Sequence, residues 1–279
     1  MSLADVAAQS LKGGDPVAAL AQLQEQVRAK PADAKLRIFL FQLLCVLGQW
    51  ERALNQLTVA SSLDPGALAM AQTYGDAVRC EAMRDDVFAG KKSPMIFGQP
   101  DQWLALLIES MLLAGRGEQE RSQQLRSTAF EDAPASSGDI DGRPFAWISD
   151  ADSRLGPVLE AVINGRYYWV PFSRLIGLQI EPPEDLRDIV WMPAHLFFEN
   201  GGESVALIPT RYPGSEKSED GAIVLARKTV WEEIGPEMHR GLGQRIIATD
   251  AEEVSLMEVR KISITAGSGE TADLADDHV

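Results

Sequence analysis

The stretch Leu36–Pro65, LRIFLFQLLCVLGQWERALNQLTVASSLDP, decides how the first half of the chain is read. An apolar helical run stops at Gly48, two or three residues turn the chain, and a second helical run stops at Asp64-Pro65. Thirty-four residues earlier the outline recurs, with Gly14, Ala19, Leu20, Leu23 and Pro31 in place of Gly48, Ala53, Leu54, Leu57 and Pro65. That period and those residue types are those of tetratricopeptide helix–turn–helix repeats. Glycine releases the first helix, a small alanine lets the two helices approach, and proline ends the second. Because such a pair cannot bury its apolar faces alone, further helices must stack on it.

Working outward, helix one is expected from about Leu3 to Leu11, and Asp15-Pro16 opens the second as an N-cap followed by proline at the first helical position. After Pro65 the repeat lapses into one long helix to Phe88, since Gly75 alone interrupts it and Met70, Tyr74, Ala77 and Val78 mark a buried face. Gly90–Pro100 reads as a loop whose Met95-Ile96-Phe97 tucks back on the core. Asp101 then caps a helix bearing Trp103, Leu106, Leu107 and Leu113. Gly117 to Pro134 repeats the spacing of Gly14 to Pro31, so a degenerate third pair ends this half.

On the third helix, Lys35, Ile38, Gln42 and Cys45 share one stripe, while Leu36, Leu40, Phe41 and Leu44 form the better packing face. Lys35, Ile38 and Gln42 are therefore candidate partner contacts, with Trp103 as a further one. The competing reading is a helical bundle that only supports the second half.

From residue 135 to 144 small, polar, Gly and Pro residues suggest a linker. Beyond it, short β-favouring runs follow at Phe145–Ile148, Val158–Ile163, Tyr167–Pro171, Ile189–Met192, Leu196–Phe198, Val205–Ile208, Ile223–Ala226, Gln244–Thr249 and Val254–Ile264. Asn164-Gly165 between two of them is a hairpin signal, because both residues tolerate positive φ. The expected architecture is α+β: tetratricopeptide-like helical repeats over 1–134, a linker at 135–144, and a small antiparallel, barrel-like β domain over 145–265. Closure into a barrel would remove exposed strand edges. An acidic, disordered tail is expected over 266–279.

Charge and composition narrow the function. The net charge of −15 divides into −3 up to Pro134 and −12 beyond it. No basic stripe is left for a nucleic-acid backbone or an anionic membrane, so a neutral or basic protein surface is the better partner. The start lacks a signal-peptide pattern and no run reaches the length of a membrane span, which makes the cytoplasm the expected address. Cys45 and Cys80 sit in helical patterns and read as small buried hydrophobes rather than a disulfide.

Catalytic patterns are weak. Asp150 and Asp152 could share a cation, but Arg154 beside them favours local ion pairs. The histidines His195, His239 and His278 have no zinc spacing. Gly241-Leu-Gly243-Gln-Arg245 lacks the third glycine of a dinucleotide loop and precedes a strand instead of following one. No enzyme, cofactor or metal is expected. In Gly165-Arg-Tyr-Tyr-Trp-Val-Pro-Phe172, alternation sends Tyr167 and Trp169 to one face. With Trp191, Arg211 and Tyr212 they are candidate aromatic and arginine anchors, for the inter-domain contact or for a partner.

Several segments then fall together. They are Arg79-Cys-Glu81-Ala-Met-Arg84, Asp86-Val-Phe-Ala-Gly90, Trp103-Leu-Ala-Leu-Leu107, and Trp147-Ile-x-Asp150-x-Asp152-x-Arg154-Leu-Gly-Pro157. Asn164-Gly-Arg-Tyr-Tyr-Trp-Val-Pro171, Ile208-Pro-Thr-Arg-Tyr-Pro-Gly-Ser215 and Gly241-Leu-Gly-Gln-Arg245 complete the set. In this order, over roughly residues 1–262, the chain resembles the ImpE/TagJ (SciE-type) family of type VI secretion system accessory proteins. The resemblance implies a non-enzymatic protein with a tetratricopeptide-like half and a small β-rich half. It further implies binding to an N-terminal helix of the small sheath subunit TssB and help in linking it to the disassembly ATPase ClpV. It brings no catalytic residues. The alternative is an adaptor for an unrelated cytoplasmic complex, or, more remotely, an enzyme with an unrecognised site.

Overall fold

A computed structural model describes residues 3–235 and 238–265. Seven helices come first: α1 (Leu3–Lys12), α2 (Pro16–Ala29), α3 (Ala34–Val46), α4 (Trp50–Leu63), α5 (Leu68–Phe88), α6 (Gln102–Gly115) and α7 (Gln119–Asp132). Asp15 accepts a hydrogen bond from the Ala18 amide at 2.8 Å, and Asp33 caps α3 through the amides of Lys35 and Leu36 at 3.0 and 3.2 Å. The recurrent glycines Gly14, Gly48 and Gly117 all take a left-handed φ, of 86°, 64° and 84°, which ends each first helix and turns the chain into its antiparallel mate.

Between α5 and α6 lies strand β1 (Met95–Ile96). After α7 come β2 (Gly138–Ile140), β3 (Arg143–Phe145), β4 (Ile148–Asp150), β5 (Val158–Ile163), β6 (Arg166–Pro171), β7 (Leu175–Ile180), β8 (Trp191–Phe198) and β9 (Glu203–Pro209). A four-residue helix α8 (Gly221–Val224) precedes β10 (Thr229–Gly235), β11 (Met238–Gly243), β12 (Ile246–Thr249), β13 (Glu253–Ser255) and β14 (Lys261–Ile264). Asn164 and Gly165, at φ 50° and 72°, make the two-residue turn between β5 and β6.

The β region is not barrel-like, which corrects the expectation of a small closed antiparallel sheet. Nine strands form an open sheet in the order β1-β6-β5-β9-β8-β7-β14-β2-β3, with β1 parallel to β6 and the other pairs antiparallel. β1 and β3 stand at opposite edges and do not meet. The physical reason is that the edges need no closure. β1 has two residues, and β3 has three with Pro144 among them, so neither offers a long row of free amides. β1 also comes from the helical half, which thereby supplies one edge of the sheet. The segment 135–144 holds β2 and the start of β3. Residues 266–279, where the acidic tail was expected, lie outside the described residues.

Both faces of the sheet are covered. Alternate residues Val158, Val162, Tyr167, Trp169, Trp191 and Leu207 join Phe41, Leu44, Tyr74, Val78 and Leu104 in one core shared with the helices. The intervening residues Leu159, Ala161, Ile163, Val170, Met192 and Ile208 turn to a second core. That core is closed by Ile148, Ile247 and Val254 of the three-stranded sheet β13-β12-β4. Other differences are local. Ile223–Ala226, expected to be extended, starts inside α8 because Asp220 caps that turn through the Ala222 amide at 2.8 Å. The hairpin β10-β11 and strand β7 were not expected, although β7 reads LIGLQI, an apolar run broken by Gly177.

Candidate functional site

The helices and the sheet meet across a seam of buried charges. Glu160 stands at the centre of the apolar run VLEAVI in β5, on the helix-facing side with Val158 and Val162, and is fully buried. Arg84 reaches it from α5 through Nε to Oε1 at 2.7 Å and Nη2 to Oε2 at 3.0 Å. Arg245, between β11 and β12, donates to both Glu160 and Asp150, and its Nε donates to the Pro209 carbonyl at 2.8 Å. Tyr167 donates its hydroxyl to Glu160 at 2.6 Å and receives the Trp169 indole N–H at 2.8 Å. Trp191 donates to Glu81, one turn before Arg84, at 2.7 Å. Buried charge is tolerated here because each group has an opposite partner and further hydrogen bonds.

Electrostatics divide the acids. Burial by itself would raise Glu160, yet Arg84 and Arg245 hold it down at about 2, so it stays ionised. Burial pushes Asp150 up to about 6 despite Arg245, with Asp152 and Glu160 adding like-charge repulsion. Asp150 thus takes up a proton well before Glu160 as the pH falls. Burial also raises Glu81. Asp152 is held by Arg154, Nε to Oδ1 at 2.9 Å and Nη2 to Oδ2 at 2.6 Å, so the Asp150/Asp152 pair is engaged by arginines. Among the described residues no cluster of three or more His, Cys, Asp or Glu is disposed to hold a metal ion.

Two more arginines of the β region cap helices. Arg211 donates to the carbonyls of Val46 at 2.8 Å and Cys45 at 3.5 Å at the end of α3, and to Val224 at the end of α8. Arg227 donates to Leu11 at 2.7 Å and Lys12 at 3.1 Å at the end of α1. Helix C-termini carry unsatisfied carbonyls and partial negative charge, so a guanidinium is well matched there, buried in Arg211 and exposed in Arg227. Burial lowers Arg211 to about 10, which leaves it charged near neutral pH.

The residues singled out from sequence occupy distinct places. Trp169 and Trp191, both 0 % exposed, pack between sheet and helices, against Phe88 at 6.3 Å and against Trp50 and Tyr74 at 6.0 and 6.1 Å. Tyr167 and Arg211 lie in the same seam. Tyr212 is away from the helices, donating to Asp150 at 3.0 Å and packing on Trp231. Lys35 is exposed and Ile38 half-buried, whereas Gln42 and Trp103 are buried. Glu160, Arg84 and Arg245 were not singled out as site residues; a lone carboxylate inside VLEAVI is the signal that could have found the first. One open groove, of about 430 Å³, runs between α5 and β9, with Thr73, Asp76, Val162 and Leu207 in its walls and Val205, 72 % exposed, at its rim.

Set beside known proteins, residues 142–263 match the family model described as ImpE protein. The chain is 51 % identical over 261 residues to the type VI secretion system accessory component TagJ of Pseudomonas aeruginosa, covering 94 % of this chain and 92 % of that protein. Its fold matches the crystal structure of a Vibrio parahaemolyticus protein with a TM-score of 0.84 and 26 % identity, over 93 % of this chain and 97 % of the other.

Proposed function

The chain belongs to the ImpE/TagJ family of type VI secretion system accessory components, and on that premise we propose that it binds an amphipathic helix from the N-terminus of the small sheath subunit TssB and assists its link to the ATPase ClpV. The observation that carries this reading is the 51 % identity to an accessory component along nearly the whole chain. In the interior, Glu81, Arg84, Glu160 and Arg211 are engaged in joining the helices to the sheet.

An incoming helix needs spaced apolar anchors and charged flanks. We place its contact on α3, with half-buried Ile38 as anchor and exposed Lys35 at the rim. The groove beside α5 is a second landing place, favoured by the exposure of Val205 above Leu207. Calorimetric titration with a synthetic peptide of the sheath subunit's N-terminal helix tests both. Binding that weakens at least tenfold in a folded Ile38→Asp variant supports the α3 surface. Binding lost instead in Val205→Asp moves the site to the groove. No binding of the peptide to the full chain removes the sheath reading.

A further inference from the structure

A second cavity, of about 200 Å³, lies where the end of α5, α6, α7 and the β10-β11 hairpin converge. Its walls include Phe88, Met111 and Met238 together with three arginines, Arg126, Arg154 and Arg240. Two of these are matched. Arg154 forks onto Asp152 and lies 4.7 Å from the centre of the Phe88 ring, and Arg240 meets Glu232 at 2.8 and 2.6 Å.

Arg126 is different. It is 5 % exposed, and among the described residues no carboxylate comes within ion-pair distance of it. Its guanidinium abuts the Met238 thioether, a weak acceptor with no charge to offer. Asp152 attracts it, but both oxygens of Asp152 are taken, one by the Arg154 amide and Nε, the other by Arg154 Nη2 and the Gly241 amide. A buried, unmatched guanidinium at the wall of a cavity is costly unless an anion completes it.

We propose that this cavity binds a monoanionic carboxylate with an apolar substituent, and that Arg126 takes its charge. A guanidinium with no carboxylate partner among the described residues calls for one negative charge, and its planar fork matches a planar carboxylate. Phe88, Met111 and Met238 provide an apolar wall for the rest of the ligand. Burial holds the Arg126 guanidinium below the usual arginine range, which is the cost that the anion would relieve. This site is separate from the helix-binding surface and does not rest on it.

A free short-chain acid and the C-terminal carboxylate of another chain share this chemistry, so the probes are isovalerate and N-acetyl-alanyl-leucine, with isovaleramide and inorganic phosphate for comparison. Calorimetric titration of the full chain should show binding of one or both acids, no binding of the amide, and at least tenfold weaker binding to Arg126→Met. Preference for isovalerate assigns a free acid, and preference for the dipeptide a chain terminus. Without ligand, Arg126→Met should melt no lower than the wild type, since it removes an unmatched buried charge, and isovalerate or the dipeptide should raise the melting temperature of the wild type only. If that variant fails to fold, Arg126→Lys, which keeps the charge and loses the fork, should bind more weakly. Absence of binding by both acids, equal binding by Arg126→Met, or preference for phosphate overturns the proposal.

Discussion

Arg84 of α5 and Glu160 of β5 are joined fork to fork, at 2.7 and 3.0 Å, in the buried seam between the helices and the sheet. The pair is 76 residues apart in sequence, and Arg84 Nη2 also donates to the Arg211 carbonyl at 2.7 Å. Helical and β regions therefore share not only an apolar core but a set of charges that neither can satisfy alone.

Glu160→Gln should be severe. It removes the negative charge from between Arg84 and Arg245, leaving two buried guanidinium groups facing one neutral amide. Breaking a buried pair in this way costs about 3–5 kcal/mol. Urea denaturation followed by tryptophan fluorescence and far-ultraviolet circular dichroism should show one coincident transition for the wild type and the same transition at lower urea for the variant. Separate transitions for the helices and the sheet would contradict a shared seam.

Trp169→Ala tests the apolar part of the same contact. Trp169 is 0 % exposed and packs on Phe88 of α5, and truncating a buried aromatic costs about 3–5 kcal/mol. The expected result is a large drop in the denaturation midpoint. A change below about 1 kcal/mol would mean that the strand does not hold the two regions together.

Stability should depend on pH in two opposed limbs. The Asp150 carboxyl is raised from 3.8 to about 6, so the folded chain binds its proton more readily than the unfolded chain, and this contribution grows as the pH falls through that range. Glu160 is lowered from 4.5 to about 2, so its contribution is present above 4.5 and is lost as the pH falls towards 2. Melting temperature measured against pH should rise on mild acidification and then fall steeply. Asp150→Asn should flatten the upper limb and leave the acid limb in place.

Gly115→Ala probes the approach of α5 to α6. A methyl group there would come within 2.6 Å of the Ala89 carbonyl oxygen and 2.7 Å of the Gly90 Cα, both backbone atoms that cannot swing aside. Overpacking of this kind costs about 1–3 kcal/mol, to be read as a lowered melting temperature. An unchanged melting temperature would show that the two helix ends separate freely.

The helix pairs were legible from the sequence because their signals are local. A glycine that must take positive φ, a proline that cannot continue a helix and a small alanine at the crossing act within one or two turns of the chain. The same holds for the Asn164-Gly165 hairpin and for the alternation that sends Tyr167 and Trp169 to one face of β6. What only the tertiary structure decided depends on residues far apart. Whether the sheet closes turned on which strands reached its edges, and one edge is β1, supplied by the loop after α5. The weight of Glu160 was hidden for the same reason: its partners Arg84 and Arg245 lie 76 and 85 residues away. Periodicity records the backbone conformation and the face of each element, whereas strand order and the pairing of buried charges are set by which elements pack together, and no local pattern encodes that.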